Sequence, residues 1–248
     1  MDTLGRNRLR LPRLTKKEGF TLHPFDVENG VRTSGIIPGR FLKAGHKHDR
    51  HSTAYFGVAP SVFRALVKKW QKTKPCAPVE EFAFVDVGAG MGRAMLLASE
   101  LPFHRVEGIE LNPILTGIAR RNAARWKAAG RARGSMRVRC GDAVEFRFPK
   151  RPCLVFLFNP FGASVMRRLV ARLAEAFCDR PGELDVLYVN REQEHVFEGQ
   201  RGFVRLFLGN VKRSRADAIA DHRIMANQPD GEYEASNYEE CSIWRWEG

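Results

Sequence analysis

Between residues 81 and 189 short apolar runs alternate with longer segments of helical spacing, and that alternation leaves the chain few architectures. FAFVDV (82–87) precedes a helical stretch over about 92–101, and RVEGIEL (105–111) precedes one over about 113–129. MRVRC (136–140) and CLVFLF (153–158) lead to a helix over about 163–177 and then to DVLYV (185–189). Strands alternating with helices of this length form βαβ units, with a mostly parallel sheet and helices on both faces. FVRLFL and YEECSIWRW read as two further strands with no clear helix between them, an antiparallel pair at the C-terminal edge. The expected fold is therefore α/β, a doubly wound, mostly parallel seven-stranded sheet with an antiparallel C-terminal edge pair.

The chain has 248 residues, 44% of them hydrophobic, enough for one sizeable α/β domain and short for two. Residues 1–58 show no sustained periodicity and are rich in Gly, Pro and His, so they read as an irregular extension over the ligand-binding end of a domain spanning 59–248. Residues 60–72 place Phe63, Leu66, Val67 and Trp70 on one face and Arg64, Lys68, Lys69 and Lys72 elsewhere, the spacing of an amphipathic helix. Five cysteines in odd number, without C-x-x-C spacing, read as small core residues in a reducing cytoplasm. The longest apolar run, near 154–158, is too short to cross a bilayer. The first twenty residues carry cations without an apolar stretch, which disfavours a secretory signal; they share an acid-poor composition with organellar transit peptides but lack serine.

The net charge of +13 is unevenly placed. Residues 1–50 hold eleven Lys/Arg against five Asp/Glu, and residues 120–151 hold eleven against two. Such asymmetry suits an anionic partner, a nucleic acid or an acidic protein surface, and equally describes a solvated basic helix face.

In a doubly wound sheet the ligand sits beyond the carboxyl ends of the strands. The first strand ends in FVDVGAGMGR. Gly88 and Gly90 permit a tight turn, Gly92 permits close approach at the start of the next helix, and that helix presents free N–H groups to an anion. Asp86 adds a carboxylate that would repel a diphosphate and attract an ammonium group. A ligand carrying a carboxylate and an ammonium on one carbon meets both demands. S-adenosylmethionine has such an end, and D-x-G-x-G-x-G differs from the G-x-G-x-x-G of dinucleotide folds.

On these residues the chain resembles the class I S-adenosylmethionine-dependent methyltransferases, from about Val85 to Val189. Asp86-Val87-Gly88-Ala89-Gly90-Met91-Gly92 resembles the family's first motif. Glu110, followed by Leu111, resembles the acidic residue that takes the ribose hydroxyls, and Cys140-Gly141-Asp142-Ala143 the motif whose Asp receives the adenine amino group. Asn159-Pro160-Phe161 resembles the motif beside the transferring methyl, and is similar to the N-P-P-[FY] of amino-group methyltransferases but lacks the second proline. The segment from Asp26 to Pro38, with Tyr55 and Pro60, resembles the lead-in of a bacterial group of class I methyltransferases, which implies that Thr33, Ser34 and Tyr55 offer hydroxyls to the ligand; the same residues suit a structural strap. The domain is also similar to seven-strand lysine methyltransferases.

The resemblance implies an enzyme moving a methyl group from S-adenosylmethionine to a nucleophile, nitrogen above all, with the acceptor open among protein lysine or another amine, a nucleic-acid base and a small molecule. Asn159 and Pro160 would align an amine and Phe161 would stack or cover it; no general base stands out. HKHDRH (46–51) is reminiscent of a metal tract, but its neighbouring cations oppose an ion and no metal is expected. Two rival readings are a non-catalytic nucleic-acid-binding protein on a methyltransferase fold and a NAD-dependent oxidoreductase.

Overall fold

A computed structural model describes residues 21–228 and 233–248, so the first twenty residues of the expected 1–58 extension lie outside it. The extension contributes a short helix α1 (Pro24–Asn29) and a two-stranded antiparallel ladder of β1 (Ile36–Ile37) and β2 (Tyr55–Phe56), followed by α2 (Pro60–Gln71). Strands and helices then alternate as β3 (Ala83–Val87), α3 (Arg93–Ala98), β4 (Arg105–Glu110), α4 (Pro113–Ala128), β5 (Ser135–Cys140), β6 (Cys153–Phe158), α5 (Ala163–Ala176) and β7 (Leu184–Val189). The chain closes with α6 (His195–Glu198), β8 (Phe203–Lys212), α7 (Arg215–Ala226) and β9 (Tyr238–Trp246).

The main sheet has seven strands in the order β5-β4-β3-β6-β7-β9-β8. From β5 through β7 all pairs are parallel; β9 runs antiparallel to β7 and to the edge strand β8. From β3 the chain winds outward through β4 to β5, then returns to lay β6 on β3's other side. The order reverses there, which opens a crevice above the strand tips.

Both sheet faces are apolar because successive side chains point to opposite sides. Phe84, Phe156 and Leu187 join the core under α2, α3 and α4, while Val85, Val155 and Val186 join the core under α5 and α6. Helix α2 buries Phe63, Leu66, Val67 and Trp70, as its spacing predicts. Helix α4 starts where Asn112 accepts the Ile114 N–H at 2.9 Å, with Pro113 in its first turn.

Two expectations fail. A helix, α7, lies between the last two strands, where none was legible. Its buried face carries Asp217 and Asp221 beside Ala220 and Ile224, so the apolar period is lost. The carboxylates are held inside by partners, Asp217 by the Ser61 N–H at 2.8 Å and Asp221 by Arg213 at 3.1 Å. The cysteines also divide: Cys153 and Cys241 are buried, but Cys76, Cys140 and Cys178 are exposed at loops and strand ends rather than in the core. Among the described residues no helix is long and apolar enough to cross a membrane.

Candidate functional site

A cavity opens above the tips of β3, β4 and β6, with Gly88, Gly90, Glu110, Leu111, Asp142, Ala143, Pro160 and Phe161 among its lining. The glycines are there for space. Gly88 (φ 73°) and Gly90 (φ 54°) are left-handed, and an added Cβ would stand 2.7 Å from Pro160 Cβ and 2.3 Å from the Tyr55 ring. Gly92 (φ 89°) is off the cavity and lets α3 approach α4, since its Cβ would meet Ala119 at 3.3 Å. Ala89 is buried off the lining, its N–H donating to the Ile109 carbonyl at 3.1 Å.

Glu110 ties this turn to the next strand. Its Oε2 accepts the Gly90 N–H and its Oε1 the Asn112 N–H, both at 2.8 Å, which fixes the carboxylate and leaves lone pairs on each oxygen. Burial pushes its pKa up. Asp86 lies beneath the turn, off the cavity wall. Burial first, and then the charge of Glu110, push its pKa up to about 8, opposed by a backbone N–H of Met95. Neither carboxylate has a Lys or Arg partner among the described residues.

The other wall comes from the extension, through Leu42, His48, Ser52, Thr53, Ala54 and Tyr55. Ser52 bridges Phe161 as an isolated antiparallel pair, and the Gly162 N–H donates to the His51 carbonyl at 2.9 Å. Thr53 reaches further, donating its hydroxyl to the Asn159 carbonyl and its N–H to the Pro160 carbonyl at 3.5 Å. Asn159 is left-handed (φ 39°), and its buried Oδ1 has no partner.

Thr33 is placed differently from its expected role. Its hydroxyl donates to Asp26 and accepts from Arg93 Nε at 2.7 Å, away from the cavity, while its carbonyl receives the Tyr55 hydroxyl at 2.7 Å. Ser34 also donates to Asp26. Arg93, the last residue of the glycine stretch, is buried and additionally donates to the Gly57 carbonyl at 3.0 Å. These groups clasp the extension to the start of α3. Their partners were unreadable from sequence, because Asp26 and Arg93 are 67 positions apart.

Asp142 caps its own turn by accepting the Val144 N–H at 3.0 Å. Its other oxygen lies 2.9 Å from His48 Nδ1, whose N–H is not well aligned on it, and 4.0 Å from His46 Nε2. His46, His48 and Asp142 are close enough to suggest an ion. The other ring nitrogens argue otherwise. His48 Nε2 faces Arg168 Nη1 at 2.7 Å and His46 Nδ1 receives the His48 N–H at 3.2 Å, so both keep their lone pairs there. In the neutral rings the protons then sit on the nitrogens facing Asp142, where a metal would need lone pairs. Burial holds His48 below the usual imidazole pKa, Asp142 opposing and Arg168 assisting. The only sequence signal for His48 was its histidine-rich tract.

No protein-family model matches the chain, and no curated protein matches it. Solved structures do. The 4+2 cyclase SpnF superposes with a TM-score of 0.52 at 18% identity, covering 75% of this chain and 80% of that one. The sheet has the class I methyltransferase fold. TrmN from Thermus thermophilus gives a TM-score of 0.49 at 16% identity over 76% of this chain, which spans about half of TrmN (49%). Magnesium protoporphyrin IX methyltransferase (ChlM) from Synechocystis PCC 6803, crystallised with bound SAM, gives 0.48 at 15% identity over 75% of this chain and 76% of that one. A fold shared with a cyclase leaves the reaction to be argued from the site.

Proposed function

We propose that this protein is a methyltransferase that uses S-adenosylmethionine and methylates a nitrogen acceptor. The observation that carries this reading is the pair of buried carboxylates, Asp86 and Glu110, with no protein cation beside them at the glycine turn. A diphosphate there would keep both carboxylates protonated and gain no attraction from them, which argues against a nicotinamide dinucleotide; an ammonium-bearing ligand would favour their ionised form and be held by it. Glu110, with both oxygens fixed and lone pairs remaining, is suited to accept two vicinal hydroxyls. Asp142 and the adjoining backbone at Ala143 are suited to the edge of a purine.

S-adenosylmethionine supplies an electrophilic methyl group on a sulfonium. The chain's own contribution is positioning. Asn159 Oδ1 is buried, unpartnered and just off the cavity lining, so a turn of its side chain toward the cavity would offer an acceptor to the N–H of an amine. The Pro160 carbonyl can take a second N–H once the long contact from Thr53 is released. Two such bonds direct the amine's lone pair, while Phe161 beside them excludes water and keeps the amine neutral by desolvation. The released proton passes to water, since His48 is tied to Asp142 and Arg168.

The test is transfer itself. Purified protein is incubated with methyl-labelled S-adenosylmethionine and cell extract fractionated into RNA, DNA, protein and metabolites. Label is expected in one fraction and lost with Glu110→Ala. S-adenosylhomocysteine binding without label in any fraction would contradict the catalytic part and favour a binding protein on this fold.

A further inference from the structure

Residues 111–141 contain eight Lys/Arg and no Asp or Glu. The fold gathers them on α4, on the turn that follows and on β5, the open edge of the sheet. Arg120, Arg121, Arg125, Lys127, Arg131, Arg133 and Arg137 are exposed. Some are engaged locally: Arg120 donates to the Val138 carbonyl and Arg125 to that of Gly30, and Arg139 pairs with Glu107. The side chains of Arg121, Lys127, Arg133 and Arg137 have no hydrogen-bond or ion-pair partner among the described residues. A positive field compensated by a carboxylate only at Arg139 attracts a polyanion.

We infer that this face docks the phosphate backbone of base-paired RNA. Three observations narrow the partner. Among the described residues no large apolar side chain of 111–141 is exposed, and on the neighbouring α1 only Val27 is, so the face lacks the clustered apolar anchors of a protein interface. It also presents no exposed aromatic ring on which unpaired bases would stack, which disfavours a single strand. From Arg120 to Arg131 the exposed residues between the cations are Ala124, Ala128, Ala129 and Gly130, so a phosphate ridge can approach closely.

The shape of the face separates the two kinds of duplex. Helix α4 buries Leu115, Ile118, Ala119, Asn122 and Trp126 against the sheet, the glycine turn and the extension, leaving only its outer side free. The cations spread over α4, the turn after it and the β5 edge rather than along one protruding helix, a broad surface that matches a shallow groove better than a B-DNA major groove, which admits a single helix or ribbon. The minor groove of A-form RNA is wide and shallow and is bound through phosphates and sugar hydroxyls without insertion. Arg137 and Arg139, on the opposite sheet face from α4, extend the field around the open edge. The same elements reach the cavity, since Leu115 in the first turn of α4 and Asp142 just past β5 line it. Along the helix axis the cations from Arg120 to Lys127 stand about 8 to 18 Å beyond Leu115. This inference does not depend on the cofactor reading.

The test is fluorescence anisotropy with a labelled RNA duplex of about 20 base pairs, long enough for two successive minor grooves, compared with the DNA duplex of the same sequence, the single-stranded RNA and polyglutamate. Titrations run at several salt concentrations. Wild type is expected to bind the RNA duplex most tightly, with affinity falling steeply as salt rises. Arg121→Ala/Lys127→Ala/Arg137→Ala, which removes unpartnered side chains, is expected to melt as wild type does while lowering the salt slope by about three. The single Lys127→Glu variant, read the same way, should weaken binding with no change in melting. Equal or tighter binding of DNA, single-stranded RNA or polyglutamate would overturn the inference, as would an unchanged slope in the triple variant.

Discussion

Two buried carboxylate clusters flank Tyr55, and they are built on opposite principles. In the clasp, Asp26 accepts the hydroxyls of Thr33 and Ser34 and the Ser34 N–H at 2.7 Å, with the Arg93 guanidinium at 3.9 Å. At the strand tips, Asp86 and Glu110 have backbone N–H partners and no cation, and the charge of Glu110 helps to raise the pKa of Asp86. A satisfied cluster holds the fold together. An unsatisfied one stores a preference for a ligand of the missing charge.

The comparison predicts different consequences when each cluster is broken. Arg93→Met leaves Asp26 buried without its cation and should cost about 3–5 kcal/mol in urea denaturation. An effect below ~1 kcal/mol would erase the distinction between the clusters. Glu110→Ala should instead weaken S-adenosylhomocysteine by roughly 10- to 100-fold, since a hydrogen bond to a charged group contributes about 1.5–3 kcal/mol.

The pH response sharpens the contrast. Asp86 has a folded-state pKa of about 8 against an ordinary 3.8, so the ligand-free folded chain holds a proton that the unfolded chain has lost. Its contribution to stability is therefore present at acid pH and is lost as pH climbs through that window to about 8. Asp86→Asn should remove this slope from the melting curve. Binding of an ammonium-bearing ligand selects the ionised carboxylate, so affinity should rise by up to about tenfold per pH unit below the pKa and level off above it. A flat affinity profile in wild type would show that Asp86 does not sense the ligand's charge. The smallest effect belongs to the strap: Thr53→Val removes one hydroxyl bond, with a stability loss of about 1 kcal/mol checked by thermal melting.

The sequence made the sheet legible because its strands are apolar on both faces and its helices carry strong periodicity. It made the glycine turn legible because Gly88 and Gly90 occupy conformations that other residues rarely adopt. Helix α7 was not legible, because its buried face includes Asp217 and Asp221, whose partners are Ser61 in α2 and Arg213 just before α7. The roles of Thr33 and His48 escaped for the same reason. A hydroxyl or an imidazole carries no mark of which partner it will face, and theirs come from α3, α5 and the loop after β5. What could be read locally was backbone conformation and periodicity; what could not was long-range polar pairing.

The most direct measurement is calorimetric titration of S-adenosylhomocysteine into wild type and Asp86→Ala, with NAD as the control. The account predicts micromolar binding by wild type, marked loss in the variant and no heat from NAD. Binding of NAD with no response to S-adenosylhomocysteine would contradict it.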